Sequence, residues 1–290
     1  MSPDLRQAIE SSVAESTGRP FRIKDSRASA GGCINDAQTV SDGERSFFLK
    51  TNHPAASGIF DAEAEALDAI NATETIRAPK PVARGEADGH AFLVLEALEF
   101  GRPGPDGPAE TGRRLAALHS HTADQFGWHR DNTIGSTPQS NRQHPDWAGF
   151  YRDERLTPQF ALAARNGFHF AQADALLSAV PALLEAHEPA PSLLHGDLWA
   201  GNAAYLHDGT PVVFDPATYF GDRETDLAFT EYFGGFPRAF YDAYHATRPL
   251  PDGYATRRML YNLYHVLNHA NLFGGGYAGE ADRMIRTLLG

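Results

Sequence analysis

The hydrophobic pattern changes period part-way along the chain, and this change constrains the fold more than any other feature. Ahead of residue 101 the apolar residues come in short runs bounded by turn residues. SFFLKT (Ser46 to Thr51) and AFLVL (Ala91 to Leu95) have the length and composition of strands. Phe21 to Ser26 and Ile34 to Val40 are expected to be two more, flanking the turn that holds Gly31-Gly32. Two helical patterns, residues 3–17 and Ile59 to Ile70, interleave with them. GRPGPDGPAE (Gly101 to Glu110) then carries three prolines and three glycines in ten residues, which predicts a loop. Beyond it the chain reads as helical: TGRRLAALHSH, Trp147 to Asn166, and Phe170 to His187. The last long segment places Leu260, Leu263, Tyr264 and Leu267 on one apolar stripe. No repeat or low-complexity tract interrupts this order. The pattern predicts an α+β protein with a small sheet-rich first part and a larger, mainly helical second part.

Composition narrows the function classes. The chain has 290 residues, 42% hydrophobic and 21% charged, as ordinary globular proteins do. Its apolar runs are too short to cross a bilayer, and the N-terminal segment lacks an apolar signal core. A single cysteine excludes an internal disulfide framework and a cysteine-based zinc site. The cytoplasm is the expected location. A net charge of −12 argues against nucleic acid or an anionic membrane as partner, because both demand surplus Lys and Arg. It leaves open a small phosphorylated ligand, held by local cations and a magnesium ion.

The strongest chemical signal is LLHGDLWAGN (Leu193 to Asn202), followed by VVFDPA, which carries Asp215. Phosphoryl transfer to an alcohol needs one carboxylate to accept or orient the hydroxyl proton. It also needs a carboxylate and an amide to hold the magnesium that bridges the phosphates. Asp197, Asn202 and Asp215 supply these groups in that order, as in the catalytic-loop signature of protein kinases. A turn Asp with a capping Asn would explain the first pair alone, but not the strand-borne Asp215 as well.

Lys50 ends the apolar run FFLK. A lysine there can reach phosphate oxygens if a helix carboxylate orients it, and Glu63 and Glu65 are both placed to do so. Gly31-Gly32 suits a loop whose backbone amides approach phosphate, although neither GxGxxG nor GxxxxGK[ST] is present.

GGCIN, FFLK, LLHGDLWAGN, FDPA, FGD, FGGFP, FYDAYH and LYNLYHVLNHANLFG, in order from about Gly31 to the C-terminus, resemble the fructosamine kinase (ketosamine kinase) family. HGDxxxxN alone is common to many small-molecule kinases. HGDLWxGN together with GGCIN and FGGFP is far more specific. The resemblance implies a two-lobed protein-kinase-like fold, akin to aminoglycoside and choline phosphotransferases. Residues 1–95 would form the N-lobe, 96–100 the joining segment and 101–290 the C-lobe. It implies an ATP- and magnesium-dependent kinase acting on the 3-hydroxyl of Amadori-type adducts such as fructosamine, ribulosamine or erythrulosamine, free or protein-bound, whose product decomposes and so removes the glycation. Asp197 would be the catalytic base and Asn202 and Asp215 the magnesium ligands. Lys50 would bind phosphate with Glu63 as its partner. Glu96 and Leu98 would offer backbone groups to adenine. Two other readings stay open: a kinase of an aminoglycoside or another amino-bearing molecule, and a catalytically silent nucleotide-binding module.

Further residues have a functional and a structural reading. Trp199 could stack on a sugar's apolar face or pack beneath the loop. His269 could hydrogen-bond substrate or be a satisfied core histidine, and its neighbour His265 lacks a third ligand for a metal. His119 and His121 are two apart on a helix and so point to different faces. His195 is expected to support the catalytic loop, and Gly196 stands where many protein kinases keep Arg. Asp222 and Asp226 read as capping or loop-anchoring carboxylates, with a third metal ligand as the weaker reading. Cys33, beside the glycine pair, is expected to bind in the ATP loop and to be oxidisable when ATP is absent, with a disulfide-linked dimer as one outcome and a monomer as the other.

Overall fold

The computed structural model describes residues 1–28 and 36–290 and divides them into two compact units: 1–104 with 204–214, and 105–203 with 215–290. Gly31, Gly32 and Cys33, with the roles expected of them, lie outside the described residues. The first unit continues past the expected boundary to Gly104 and takes back the short segment Ala204–Phe214.

In the first unit, helix α1 (Pro3–Thr17) precedes strands β1 (Asp25–Ala28), β2 (Asp36–Ser41) and β3 (Ser46–Asn52). Helix α2 (Ser57–Ala72) and strands β4 (Pro81–Ala87) and β5 (His90–Glu96) follow. The sheet order is β1-β2-β3-β5-β4, with every neighbouring pair antiparallel. Side chains alternate across a strand. On β3 this sends Phe47 and Leu49 to one face, where they pack with Phe21, Val40, Phe92 and Val94 beneath Leu5, Ile9 and Val13 of α1. Lys50 has the opposite parity. On α2, Phe60, Glu63 and Leu67 fall on one helical face, and Phe60 and Leu67 are buried. The same burial that seats α2 therefore aims Glu63 at the Lys50 side of the sheet.

The returning segment is fixed by backbone bonds. Val213 N–H donates to the Arg77 carbonyl at 2.9 Å, and Gly101 N–H donates to the Tyr205 carbonyl at 2.7 Å. Its strands Ala203–Tyr205 and Pro211–Val213 form a two-stranded sheet.

The second unit holds α3 (Gly107–Leu118), α4 (Trp147–Phe150), α5 (Thr157–Arg165), α6 (Ala173–Leu184), α7 (Glu224–Thr230), α8 (Arg238–Thr247), α9 (Tyr254–Phe273) and α10 (Gly276–Leu289). Three differences from the sequence reading have physical causes. Part of the Pro-Gly segment is helical: α3 begins at Gly107, and Pro108 sits in the first turn, where a missing N–H costs nothing. The single helix expected from Trp147 is broken by a wider π-type turn, Tyr151–Leu156. That turn buries both Glu154 and Arg155, which bind the segment Ser140–His144 through Arg142, His144 and Asn141. The stripe on α9 is buried as expected, yet every residue from Leu260 to Leu267 is buried, Asn262 and His265 included. Over this stretch α9 is enclosed on all sides and is not an amphipathic surface helix.

Helices α3 and α8 approach closely at Gly112. A Cβ there would lie 2.2 Å from the Phe240 carbonyl oxygen, a backbone atom that cannot swing aside. Gly112→Ala is expected to destabilise the protein by about 2 kcal/mol through overpacking, read as a fall in the urea midpoint. An unchanged midpoint would mean that the two helices slide apart freely.

Candidate active site

The two sequence motifs are brought together by strand pairing. Leu193 pairs with Phe220 in antiparallel register, Leu194 N–H donates to the Tyr219 carbonyl, and Ala217 N–H donates to the His195 carbonyl. Residues 193–195 and 217–220 thus run side by side, and Asp197 and Asp215 emerge from the same end of the pair. Their proximity shows in the electrostatics. Burial pushes the Asp197 carboxyl well above the usual carboxylate range, and the Asp215 charge adds to the rise. A hydrogen bond from Asn202 opposes it. Asn202 Nδ2 donates to the Asp197 carbonyl at 2.9 Å and to Asp197 Oδ2 at 3.2 Å. With its nitrogen committed to Asp197, Asn202 keeps Oδ1 as its ligating atom. Asp215 adopts φ +56°, a left-handed conformation that non-glycine residues rarely hold, and such strain collects at functional sites.

The loop carrying Asp197 is held from below by Asp226. Its Oδ2 accepts from His195 N–H and its Oδ1 from Gly196 N–H, both at 2.8 Å. His119 Nε2 lies 3.1 Å from Asp226 Oδ2, and His119 Nδ1 lies 2.7 Å from the Tyr244 hydroxyl. A carboxylate only accepts, so Nε2 carries the proton and Nδ1 accepts from Tyr244. Burial lowers the His119 pKa, which keeps the imidazole neutral. Burial would raise Asp226, but the His119 N–H and the Gly196 amide outweigh it, and the carboxyl sits below its ordinary value. His195 closes the arrangement by accepting Asp197 N–H on Nδ1 at 3.3 Å. Gly196 has φ +83°, and a Cβ there would lie 2.1 Å from the Ala217 carbonyl oxygen. No side chain fits at that position, whatever its charge.

Lys50 Nζ lies 2.6 Å from Glu63 Oε1, and both side chains are largely buried. Of the two glutamates open from the sequence, Glu63 is thus an ion-pair partner of Lys50. Glu96 pairs with Arg77, and its own N–H donates to the Lys80 carbonyl at 2.9 Å, so of its backbone groups only the carbonyl could serve a ligand. Leu98 is half-buried just beyond β5.

Trp199 is 39% exposed and stands edge-on to Phe233, with ring centroids 6.2 Å apart. Its ring also lies against Gly201 of its own loop, where a Cβ would come within 2.3 Å of the indole. His269 Nδ1 lies 2.7 Å from the His265 carbonyl, and its ring is 5.0 Å from Phe233. His265 is a core residue, stacked on Phe229 at 3.6 Å with Nδ1 unpartnered. Asp222 accepts from the Tyr261 hydroxyl and from His187 Nε2, both at 2.6 Å, and caps Glu224 N–H at 3.1 Å. His187, Asp222 and Glu224 lie close enough to surround a cation. Glu224 is already held by the Arg257 guanidinium through both oxygens, at 2.7 and 2.9 Å, which makes the cluster a buried charge network. The sequence reading missed the roles of His119 and Tyr244. No local pattern in the sequence signals a partner so far along the chain.

The family model for fructosamine kinase matches residues 5–290. The chain belongs to the fructosamine kinase family. Within or near this family, it is 49% identical over 289 residues to a probable ketoamine kinase of Synechocystis sp., covering 99% of this chain and 98% of that protein. It is 41% identical over 279 residues to the chloroplastic protein-ribulosamine 3-kinase of Arabidopsis thaliana, covering 94% and 85% respectively. A crystal structure described as a "putative fructosamine-3-kinase" from Haemophilus somnus superposes with TM-score 0.92 at 31% identity, over 97% of each chain. A thermostable mutant of aminoglycoside phosphotransferase APH(4)-Ia, at 18% identity and TM-score 0.59 over 96% of this chain and 98% of its own, shares the protein-kinase-like fold.

Two predictions follow from the geometry beneath the loop. His119→Leu removes the donor to Asp226 without removing the carboxylate; it is expected to lower kcat about tenfold or more with little change in KM, through misplacement of Asp197. A kcat equal to wild type would show that the two backbone amides hold Asp226 unaided. His265 is neutral in the fold because burial takes its pKa from 6.5 to about 3. The unfolded chain therefore binds the proton first as pH falls. His265 contributes full stability above about pH 6.5 and loses it towards pH 3, by at most about 1.4 kcal/mol per pH unit. His265→Phe should flatten stability against pH across that window in denaturation series, and an unchanged slope would reject the assignment.

Proposed function

We propose that this protein transfers the γ-phosphoryl group of ATP to the 3-hydroxyl of a ketoamine, the Amadori-type adduct of a sugar with an amine. The observation that carries the reading is the grouping of Asp197, Asn202 and Asp215, in a chain matched by the fructosamine kinase family along nearly its whole length. The names of its relatives, ketoamine kinase and protein-ribulosamine 3-kinase, support the substrate class.

In this reading Asp197 accepts the proton of the 3-hydroxyl as its oxygen bonds to the γ-phosphorus. The bond from that phosphorus to the β,γ-bridging oxygen breaks, and its electron pair leaves with ADP. A carboxyl raised by burial is a stronger proton acceptor than an exposed one. Asn202, through Oδ1, and Asp215, through its carboxylate, are an all-oxygen donor set of the kind magnesium takes alongside substrate phosphates. Magnesium bound there would neutralise charge on the phosphates, and it would also oppose the Asp215 contribution to the Asp197 pKa. Lys50, oriented by Glu63, binds phosphate oxygens. Gly31 and Gly32 cover the phosphates, and backbone groups near Glu96 and Leu98 receive adenine. Trp199 stacks on the sugar, and His269 takes a substrate hydrogen bond. The phosphorylated product then loses its sugar, which frees the amine.

A panel of ribulosamine, erythrulosamine and fructosamine adducts, with ATP consumption as readout, tests this reading. At least one should turn over, and Asp197→Ala should lower kcat by about a thousandfold or more while keeping the circular dichroism and melting profile of the parent. Turnover of an aminoglycoside in place of every ketoamine would move the protein to the neighbouring activity. Near-normal activity of Asp197→Ala would remove the base.

A further inference from the structure

Trp199 does not stand alone. Its ring meets Phe233, Phe233 meets His269 at 5.0 Å, and His269 in turn meets Phe273 at 5.6 Å and Tyr277 at 5.2 Å. The five rings form an unbroken strip that starts two residues from Asp197 and ends on α10. The far end is open: Phe273 is 60% exposed and free to meet a ligand. One group in the strip has a defined polar direction. The His265 carbonyl can only accept, so His269 Nδ1 carries the proton, and in the neutral ring Nε2 is an acceptor. Burial lowers the His269 pKa and keeps the ring neutral. The strip thus offers aromatic faces, which attract cations and apolar carbon, and one acceptor nitrogen, with no positive charge of its own.

We infer that this strip binds the amine arm of the ketoamine: the ammonium nitrogen, and the carbon chain or ring attached to it. The inference rests on the proposed function and extends it from the sugar to its aglycone. A sugar stacked on Trp199 with its 3-hydroxyl at Asp197 has its nitrogen substituent as the part left to extend along the rings. An ammonium N–H can donate to His269 Nε2, while methylene or aryl carbon covers Phe233, Phe273 and Tyr277. The activity would therefore select among amines by the apolar reach of the arm, beyond its selection of the sugar.

The test uses ribulosamines of methylamine, butylamine and benzylamine, with KM measured for the wild type, Phe273→Ala and Tyr277→Ala, and Kd measured by calorimetry on the same proteins. In the wild type, both constants should fall from the methyl to the benzyl adduct. Each variant should shrink the methyl-to-benzyl ratio about three- to tenfold, the worth of one aromatic contact. An analogue with ether oxygen replacing the nitrogen should bind more weakly than the butyl adduct, by a similar factor. Phe273 is exposed, so its truncation leaves the core intact. A ratio unchanged in both variants, or equal weakening of all three adducts, would overturn the strip as the arm's site. Ether binding equal to the amine would overturn the ammonium contact. If the wild type turns over none of the adducts, the proposed function fails, and the calorimetric ratio still decides whether the strip prefers the longer arm.

Discussion

The catalytic loop depends on one carboxylate. Asp226 takes the N–H groups of His195 and Gly196 and the imidazole N–H of His119, all within the buried interior. Removing it would strand two buried backbone donors, at about 1–3 kcal/mol each. It would also free the Gly196 peptide, whose left-handed conformation leads into Asp197. The site's precision is thus built from below. Helix α7 carries Asp226, α3 carries His119, α8 carries Tyr244, and the strand pair at Leu193 and Phe220 sets the direction of approach. Each element is fixed by its own packing, and the loop inherits its geometry from them.

This explains which parts of the site can be read from the sequence. Asp197, Asn202 and Asp215 are legible because the chemistry demands fixed residue types at short spacing, and the spacing survives in the linear chain. Lys50 and Glu63 are legible as a strand end followed by a helix. His119 and Asp226 are 107 residues apart, and their union appears only when α3 and α7 pack. Gly196 is a further case. The sequence invites a comparison of charges at that position, whereas the structure gives a steric reason: the Ala217 carbonyl leaves no room for a side chain.

Fold legibility follows the same line. Strands and helices with a single buried face show their period, as β3 and α2 do. On α9 the apolar stripe is legible but its enclosure is not, because Asn262, His265 and Asn268 lie among its buried residues. Those polar groups can be buried there because neighbouring helices enclose them, a condition absent from any local window. The return of Ala204–Phe214 to the first unit is equally hidden, since it is carried by backbone bonds to Arg77 and Gly101, which lie far away along the chain.

The electrostatics separate structure from function in the second unit. Where charge is buried for stability it is matched: Glu224 with Arg257, and Asp226 with three N–H donors. At Asp197 the charge of a second acid, Asp215, adds repulsion. Two like charges are held near each other, one on a strained backbone, with the Asn202 amide bonded to Asp197. Repulsion of this kind contributes nothing to stability. The arrangement makes sense as a site waiting for a cation and a proton, and such local conflicts mark where a sequence serves chemistry ahead of folding.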